Sequence, residues 1–198
     1  MNRVMYAAAS GMAAQQTNLD VIADNLANAD VAGFKQVTAS FTDVRAGGTL
    51  GLGTATAGKH PIFSQGKLMR SGGPFDVAID GAGFFRVERT GMRAYTRNGE
   101  FARAADGTLR TADGWTLRDV RIPADAVGVH VAPDGRVTVD VPGAQPRAAG
   151  RIRLATFASP ENLRALGGTV SAATPESGPE RRLDPGGTNS PTIAFGML

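Results

Sequence analysis

The sequence predicts a mainly β protein, in which an antiparallel β domain follows one long N-terminal α-helix. The first thirty residues contain no proline and a single glycine, Gly11, whereas the rest of the chain is rich in both. From about residue 75 onward, short apolar stretches alternate with glycine-containing dipeptides about eight residues apart, which is typical of antiparallel sheets. At 198 residues and 42 % hydrophobic content, the chain is long enough to bury a sizeable core.

A seven-residue repeat along residues 3 to 28 predicts an α-helix about 40 Å long. One set of repeating positions comprises Met5, Met12, Leu19 and Leu26. A second set, three positions further on, comprises Ala8, Gln15, Ile22 and Ala29. Together the two sets have the a/d spacing of a coiled-coil seam. Asn28, Asp30 and Gly33 are stop signals that end the helix.

This seam is weak, because Ala8, Gln15 and Ala29 contribute little apolar area and the helix is marginal on its own. The helix therefore needs a partner surface, which is either the β domain of the same chain or helices of other chains. The sequence favours other chains, because no second seam of matching length follows. Residues 161 to 166 are long enough for only one or two helical turns.

Composition divides the chain into four predicted segments. Residues 1–33 form the coiled-coil-type helix, and residues 34–72 form an extended linker. Residues 73–158 form the β-rich domain, and residues 159–198, rich in Pro, Gly, Ser and Thr, form a loop-rich return segment. Five glycines punctuate the linker: Gly47, Gly48, Gly51, Gly53 and Gly58.

The β domain is predicted from short strands and the turns between them. The candidate strands are 75–79, 83–88, 93–97, 100–104, 108–111, 115–121, 127–132, 136–141 and 151–157. The turn dipeptides, which accept the positive φ of tight hairpins, are Asp80-Gly81, Asn98-Gly99, Asp106-Gly107, Asp113-Gly114 and Asp134-Gly135. The expected core aromatics are Phe84, Phe85, Tyr95, Phe101, Trp115 and Phe157.

Charge and composition exclude several classes of function. The net charge is +3, but between residues 86 and 121 arginines interleave with carboxylates, which is typical of a solvated surface rather than a nucleic-acid site. The absence of cysteine excludes thiolate metal sites and cysteine nucleophiles. No apolar run approaches the roughly 18 residues of a membrane span. Residues 4 to 14 are too weakly apolar for a cleaved signal peptide.

No motif supports catalysis, a cofactor or a metal. Residues 53 to 59 match the first seven positions of a phosphate-binding loop, but His60 stands where Ser or Thr would hold magnesium. Pro61 then disfavours the helical turn that would bind the phosphate. His60 and His130 are the only histidines, and no His, Asp and Glu cluster has metal-ligand spacing. We therefore expect a non-enzymatic protein without a cofactor.

Three motifs carry a family resemblance. Residues 18 to 28, Asn-Leu-Asp-Val-Ile-Ala-Asp-Asn-Leu-Ala-Asn, precede Gly33-Phe34-Lys35 and closely resemble the N-terminal signature of bacterial flagellar rod and hook proteins. Residues 76 to 85 resemble the central motif of that family, and residues 94 to 101 resemble the Tyr-Thr-Arg-Asn-Gly block that follows it. Ile122-Pro123-Ala124 and Leu154-Ala155-Thr156-Phe157 are most similar to the distal rod member.

The resemblance implies a structural subunit of the flagellar basal-body rod, exported through the type III apparatus without a cleaved signal and placed in the periplasm. It implies helical polymerisation with copies of itself and with other rod and hook proteins. It also implies an inner helical layer and an outer β layer. The expected inter-subunit packing residues are Met5, Met12, Leu19, Ile22 and Leu26. Asn18, Asn25 and Asn28 are expected to set the register, and Gly33 and Phe34 complete the predicted interface.

Two departures from the family pattern leave alternatives open. The family continues after the position of Phe195 to Leu198 into a long C-terminal helix, which this sequence lacks. The segment between Phe41 and Gly51 is shorter than in distal rod proteins. A proximal rod or hook subunit is therefore the first alternative. A truncated paralogue that acts as a β-rich binding module, with its N-terminal helix packed locally, is the second.

Overall fold

The computed structural model describes residues 3–45, 51–188 and 190–198. It confirms the predicted fold class, with antiparallel β-sheets and, within the described residues, one α-helix at the N-terminus. The chain forms two compact units, Met1–Val31 with Lys35–Phe63, and Ala32–Phe34 with Ser64–Leu198.

The first unit consists of a helix and a β-hairpin. Helix α1 spans Arg3–Ala27, which agrees with the predicted helix over residues 3 to 28. Strands β1 (Val37–Asp43) and β2 (Thr54–Pro61) pair antiparallel, with a bulge between Ser40 and Phe41. A two-stranded hairpin is marginal alone, and here it packs against α1.

The hairpin lies where the sequence predicts an extended linker. Its strands carry mostly Thr, Ala, Ser and Gly. They therefore lack the alternation of large apolar and polar side chains that predicts a strand. Their pairing depends on the helix beside them rather than on their own apolar pattern. Gly47 and Gly48 of the predicted linker lie outside the described residues.

The second unit contains fourteen described strands. Their bounds are β3 Val77–Asp80, β4 Phe84–Arg89, β5 Met92–Thr96, β6 Ala102–Arg103, β7 Thr108–Arg110, β8 Thr116–Arg121, β9 Gly128–Val131, β10 Arg136–Asp140, β11 Arg147–Arg151, β12 Leu154–Thr156, β13 Arg164–Gly167, β14 Val170–Ala172, β15 Arg181–Leu183 and β16 Thr192–Phe195. A short 3₁₀ helix spans Pro160–Asn162.

These strands form one large sheet and one small one, all antiparallel. The main path of the large sheet runs β13-β14-β5-β4-β8-β11-β10-β9. Strand β12 pairs with β4 and β15, and β7 pairs with β6 and β8. Strands β16 and β3 form the two-stranded sheet.

The core of this unit is aliphatic and aromatic. Its largest fully buried side chains are Phe85, Leu117, Ile122, Ile152 and Leu154. Of the predicted core aromatics, all are buried except Phe157, which is half-buried. The ring of Phe157 packs edge-on against Tyr95, with centroids 4.7 Å apart.

Three of the five predicted turn dipeptides close hairpins. Asp106-Gly107, Asp113-Gly114 and Asp134-Gly135 join consecutive paired strands. Asn98-Gly99 does not, since β5 and β6 are not paired. Gly99 is required for a different reason: its carbonyl accepts from the Val77 N–H at 3.1 Å, and a Cβ at Gly99 would overlap the Val77 carbonyl.

The return segment is more ordered than its composition predicts. Residues 159 to 198 contribute β13 to β16, and the predicted helical turns are reduced to the 3₁₀ helix before β13. Beyond β16 the chain continues the ladder, because Gly196 and Leu198 accept from the backbone N–H groups of Ser71 and Met69, both at 2.9 Å. Strands of three or four residues between Pro and Gly turns resemble a loop in composition, although their few apolar side chains reach the core.

Candidate assembly interface

One side of helix α1 is attached to the hairpin through small residues. Ala14 and Val21 are buried there. The hydroxyl of Ser10 accepts from the Thr54 N–H at 3.2 Å and donates to the Ala7 carbonyl at 2.9 Å. These positions recur at helical spacing, so they define a narrow face that fits closely against β1 and β2.

The large apolar side chains at the seam positions of α1 lie on another side. We call this set the assembly stripe: Met5, Met12, Leu19, Ile22 and Leu26. Its members are between 53 % and 76 % exposed. At 3.6 residues per turn, the centre of the stripe is about 145° around the helix from Ala14 and Val21. The hairpin therefore leaves the stripe uncovered.

The seam pattern left two possible partners for the helix, the rest of its own chain and helices of other chains. In the structure the surfaces for these two partners lie on different sides of α1. The helix does pack within its own chain, but through Ala14 and Val21, which lie outside the seam positions. The seam positions with large side chains remain exposed. A contiguous exposed apolar surface on a protein marks an interaction site, so the stripe is available to a second chain.

Asn25 bonds to the backbone of its own chain. Its side-chain amide donates to the Val37 carbonyl at 2.8 Å, and its Oδ1 accepts from the Val37 N–H at 2.9 Å. Both polar ends of the amide are therefore engaged inside the chain, where they fix the start of β1 to the helix. A bond of Asn25 to a neighbouring subunit stays a prediction, and the heptad spacing gave no signal for the internal bonds.

Asn28 also bonds locally. Its Nδ2 donates to the Asp24 carbonyl at 2.9 Å and to Asp24 Oδ1 at 3.3 Å, next to the end of the helix. The Asp24 carbonyl also accepts from the Asn28 backbone N–H at 3.2 Å, so the side chain adds a second bond to the last turn of the helix. Asn18 is half-buried, and its role in register stays a prediction.

Gly33 and Phe34 belong to the second unit. Gly33 has φ +71°, and a Cβ there would stand 2.4 Å from the Asn98 backbone nitrogen. The glycine of this motif is thus required by close approach to the backbone of residues 97 and 98. Phe34 is half-buried. The structure gives Gly33 an internal role, and a contact of either residue with another subunit stays a prediction.

A buried polar network stabilises the β unit next to the predicted central motif. The Tyr95 hydroxyl donates to Glu180 Oε2 at 2.9 Å, and Arg86 lies 3.7 Å from both Glu180 and Asp119. Burial, together with the bond to Glu180, raises the pKa of the Tyr95 phenol to about 12. The network connects β4, β5 and β8 with the residue before β15.

Arg97, which lies in the same Tyr-Thr-Arg-Asn-Gly block as Tyr95, bonds to both a main-chain and a side-chain oxygen. Its Nη2 donates to the Gly81 carbonyl at 2.5 Å and to Gln65 Oε1 at 2.7 Å. Burial lowers the pKa of the Arg97 guanidinium from its ordinary value. The arginine therefore acts as a structural clamp on the turn after β3.

The residues considered above for phosphate or metal binding lie in ordinary structural surroundings. Residues 54 to 61, which include Lys59 of the phosphate-loop match, form β2 rather than a loop that opens a helix. His60 bonds to the Ser40 hydroxyl at 3.1 Å, and His130 bonds to Asp140 at 3.0 Å. In the described parts of the chain, no group of three or more His, Asp or Glu side chains could hold a metal ion. None of the helices described there is long and apolar enough to cross a membrane.

Comparison with known proteins defines the class. Residues 5–35 match the family model described as flagella basal body rod protein, and residues 78–139 match that of the flagellar hook protein FlgE/F/G D1 domain. The first match contains the whole assembly stripe, and the second contains most of the large sheet.

Relatives extend the match along the chain. The flagellar basal-body rod protein FlgG of Agrobacterium fabrum is 37 % identical over 89 % of this chain and 76 % of its own length. The protein of the same name from Bacillus subtilis is 31 % identical over the whole chain and 84 % of its own length. The flagellar hook protein FlgE of Salmonella typhimurium is 44 % identical over 56 % of the chain. The chain belongs to the flagellar rod and hook protein family.

Proposed function

We propose that this chain is a structural subunit of the flagellar basal-body rod, which assembles through the exposed stripe of helix α1. The stripe carries the proposal, since it is the large apolar surface that the chain's own hairpin leaves uncovered. The rod proteins among the relatives match across nearly the full chain, which favours the rod over other axial positions.

The geometry suits polymerisation. Full burial of a Leu, Ile or Met side chain stabilises by about 1.5–3 kcal/mol, so five such side chains supply a substantial attraction between neighbouring chains. Because α1 is already held to β1 and β2 by its small face, its stripe is presented in a defined orientation before assembly. Repetition of the same contact along a helical array would generate a polymer.

The finer aspects of the function follow from the same role. We infer that the chain partners copies of itself and other rod and hook proteins, and that the type III apparatus exports it without cleavage. Helix α1 supports uncleaved export, because removal of an N-terminal segment would remove Met5 and Met12 from the stripe. The expected location is the rod in the periplasm. The role requires neither catalysis nor a cofactor.

Leu19→Asp tests the stripe directly. A carboxylate at the centre of an apolar contact would have to be buried unpaired, which is strongly unfavourable. We expect loss of the chain from purified hook–basal bodies, measured by mass spectrometry, while the β unit keeps its fold by circular dichroism. Val127→Asp is the matched control, because Val127 is also an exposed apolar residue, at 74 % against 59 % for Leu19, but lies in the second unit. Rods that contain the Leu19→Asp chain at the normal level would refute the assignment.

A hook subunit is the second candidate, favoured by the 44 % identity to the Salmonella hook protein over 56 % of this chain. Fractionation of the flagellum distinguishes a rod subunit from a hook subunit. A rod subunit stays with basal bodies from which the hook has been sheared, whereas a hook subunit leaves with the hook. A monomeric binding module would appear in neither fraction.

A further inference from the structure

Two thioether side chains occupy the N-terminal half of the assembly stripe. Met5 is 66 % exposed and Met12 is 69 % exposed, one heptad apart on the same side of α1. The C-terminal half of the stripe carries Leu19, Ile22 and Leu26, which are aliphatic. Both halves are apolar, but they differ in chemical reactivity, because a methionine sulfur is readily oxidised and a hydrocarbon side chain is not.

We propose that Met5 and Met12 form an oxidation-sensitive modification site, and that their conversion to methionine sulfoxide by a peroxide prevents the unassembled chain from entering the polymer. The proposal rests on the proposed function. In each reaction the thioether sulfur attacks a peroxide oxygen and the O–O bond breaks. A sulfur–oxygen bond forms, the sulfur loses two electrons, and hydrogen peroxide is reduced to water.

The effect follows from what surrounds the two sulfurs. Oxidation changes a flexible apolar side chain into a polar one that disrupts apolar interfaces. At the intervening seam positions, Ala8 and Gln15 supply little apolar area to compensate. Two sulfoxides would therefore leave the first half of the stripe without a large apolar side chain at its seam positions. The second half would be unchanged.

The fold supplies an internal control for accessibility. Met69 and Met92 of the second unit are 61 % and 55 % exposed, close to the values for Met5 and Met12. Neither lies on α1. Oxidation at these two positions should therefore proceed to a similar extent with no effect on assembly through the stripe.

Glutamine, which is similar to methionine in length and polar like its sulfoxide, provides the first test. The variants are M5Q/M12Q, the matched control M69Q/M92Q and the oxidation-resistant M5L/M12L. We expect M5Q/M12Q to be at least tenfold depleted in purified hook–basal bodies, with both other variants within twofold of the wild type. Circular dichroism of each purified chain verifies folding. Normal incorporation of folded M5Q/M12Q would overturn the proposal.

The second test uses peroxide itself. Cells hold the wild-type chain unassembled until expression of the export apparatus is induced, and they receive a hydrogen peroxide pulse before induction. Peptide mass spectrometry then compares the sulfoxide fraction at each methionine between incorporated and unincorporated chains. We expect at least fivefold depletion of Met5 and Met12 sulfoxide in the incorporated chains, and equal fractions at Met69 and Met92.

The outcomes separate the two proposals. If the chain is incorporated with Met5 and Met12 sulfoxide at the level of the unincorporated pool, the oxidation site is refuted and the rod function stands. If the unoxidised chain is absent from basal bodies that contain the other rod proteins, the rod function is refuted, and the oxidation site falls with it. If M5L/M12L cells lose as many new basal bodies after the pulse as the wild type, oxidation acts elsewhere.

Discussion

The Tyr95 hydroxyl shows how single residues of the Tyr-Thr-Arg-Asn-Gly block stabilise the β unit. It donates to Glu180 Oε2 at 2.9 Å, while Arg86 is 3.7 Å from the same carboxylate. The bond connects β5 to the residue before β15, 85 positions further along the chain. A buried hydroxyl without such a partner would be costly. The tyrosine is thus a structural anchor, although its family motif was recognised only as a pattern.

Stability at high pH tests this anchor. The pKa of Tyr95 in the folded chain is raised to about 12, above the ordinary value of 10.0, so the folded state binds the phenolic proton more tightly than the unfolded state. The contribution is fully present below pH 10 and is lost as the pH rises through 12. We expect the denaturation midpoint of the wild type in urea to fall across this interval by more than that of Tyr95→Phe. Parallel profiles for the two proteins would show that the phenol does not titrate in the fold.

Helix α1 shows at the level of an element how one segment serves two surfaces. Small side chains on one side allow close contact with β1 and β2, and large side chains on another side stay exposed. Summed over the seam positions, the helix looks marginal, because three of the eight carry Ala or Gln. It is the hairpin, together with the amide of Asn25, that provides support within the chain.

Substitution on each side of α1 should separate stability from assembly. Val21 is 5 % exposed, so Val21→Ala leaves a cavity against the hairpin and is expected to destabilise the first unit by about 1–3 kcal/mol. Leu19→Ala removes an exposed side chain and should change monomer stability by less than about 0.5 kcal/mol. Hydrogen exchange of the α1 and hairpin amides measures the stability of the first unit in both variants. The content of hook–basal bodies measures assembly, which Leu19→Ala is expected to reduce. Equal loss of exchange protection in both variants would contradict two separate faces.

The helix was predicted well and the hairpin poorly, because only the helix has a local sequence pattern. A heptad pattern is local, and residues 3 to 27 satisfy it without reference to anything else. Strands β1 and β2 have few large apolar side chains, so their pairing is decided by the helix face that they cover. The seam side chains were predicted. The burial of Val21 and the internal bonds of Asn25 were not, because both depend on where the hairpin lies. The seven-residue spacing carried no signal for either.

At the scale of the whole molecule, the β unit is closed by contacts between its sequence extremes. Strand β16 pairs with β3 from Thr192↔Asp80 to Phe195↔Val77, and the ladder continues from residues 196–198 to residues 69–71. Hairpins such as β9–β10 could be predicted from Asp134-Gly135, because the turn is local. A pairing across more than a hundred residues has no local signal, which is why the return segment resembled a loop. The family motif at residues 76 to 85 is therefore completed by the end of the described chain.

Ile193 provides the test of this closure. Its side chain is 2 % exposed and belongs to the core cluster that includes Val77 and Ile79. Ile193→Ala is expected to reduce the free energy of unfolding of the β unit by about 2–5 kcal/mol, because both apolar transfer energy and a cavity are involved. Urea denaturation followed by the fluorescence of Trp115, which lies in the same unit, measures the change. Ile62→Ala is the matched control, since Ile62 is largely exposed and lies in the first unit. If both variants unfold at the wild-type midpoint, β16 is not needed to hold the domain together, and the pairing with β3 would have to be a peripheral contact.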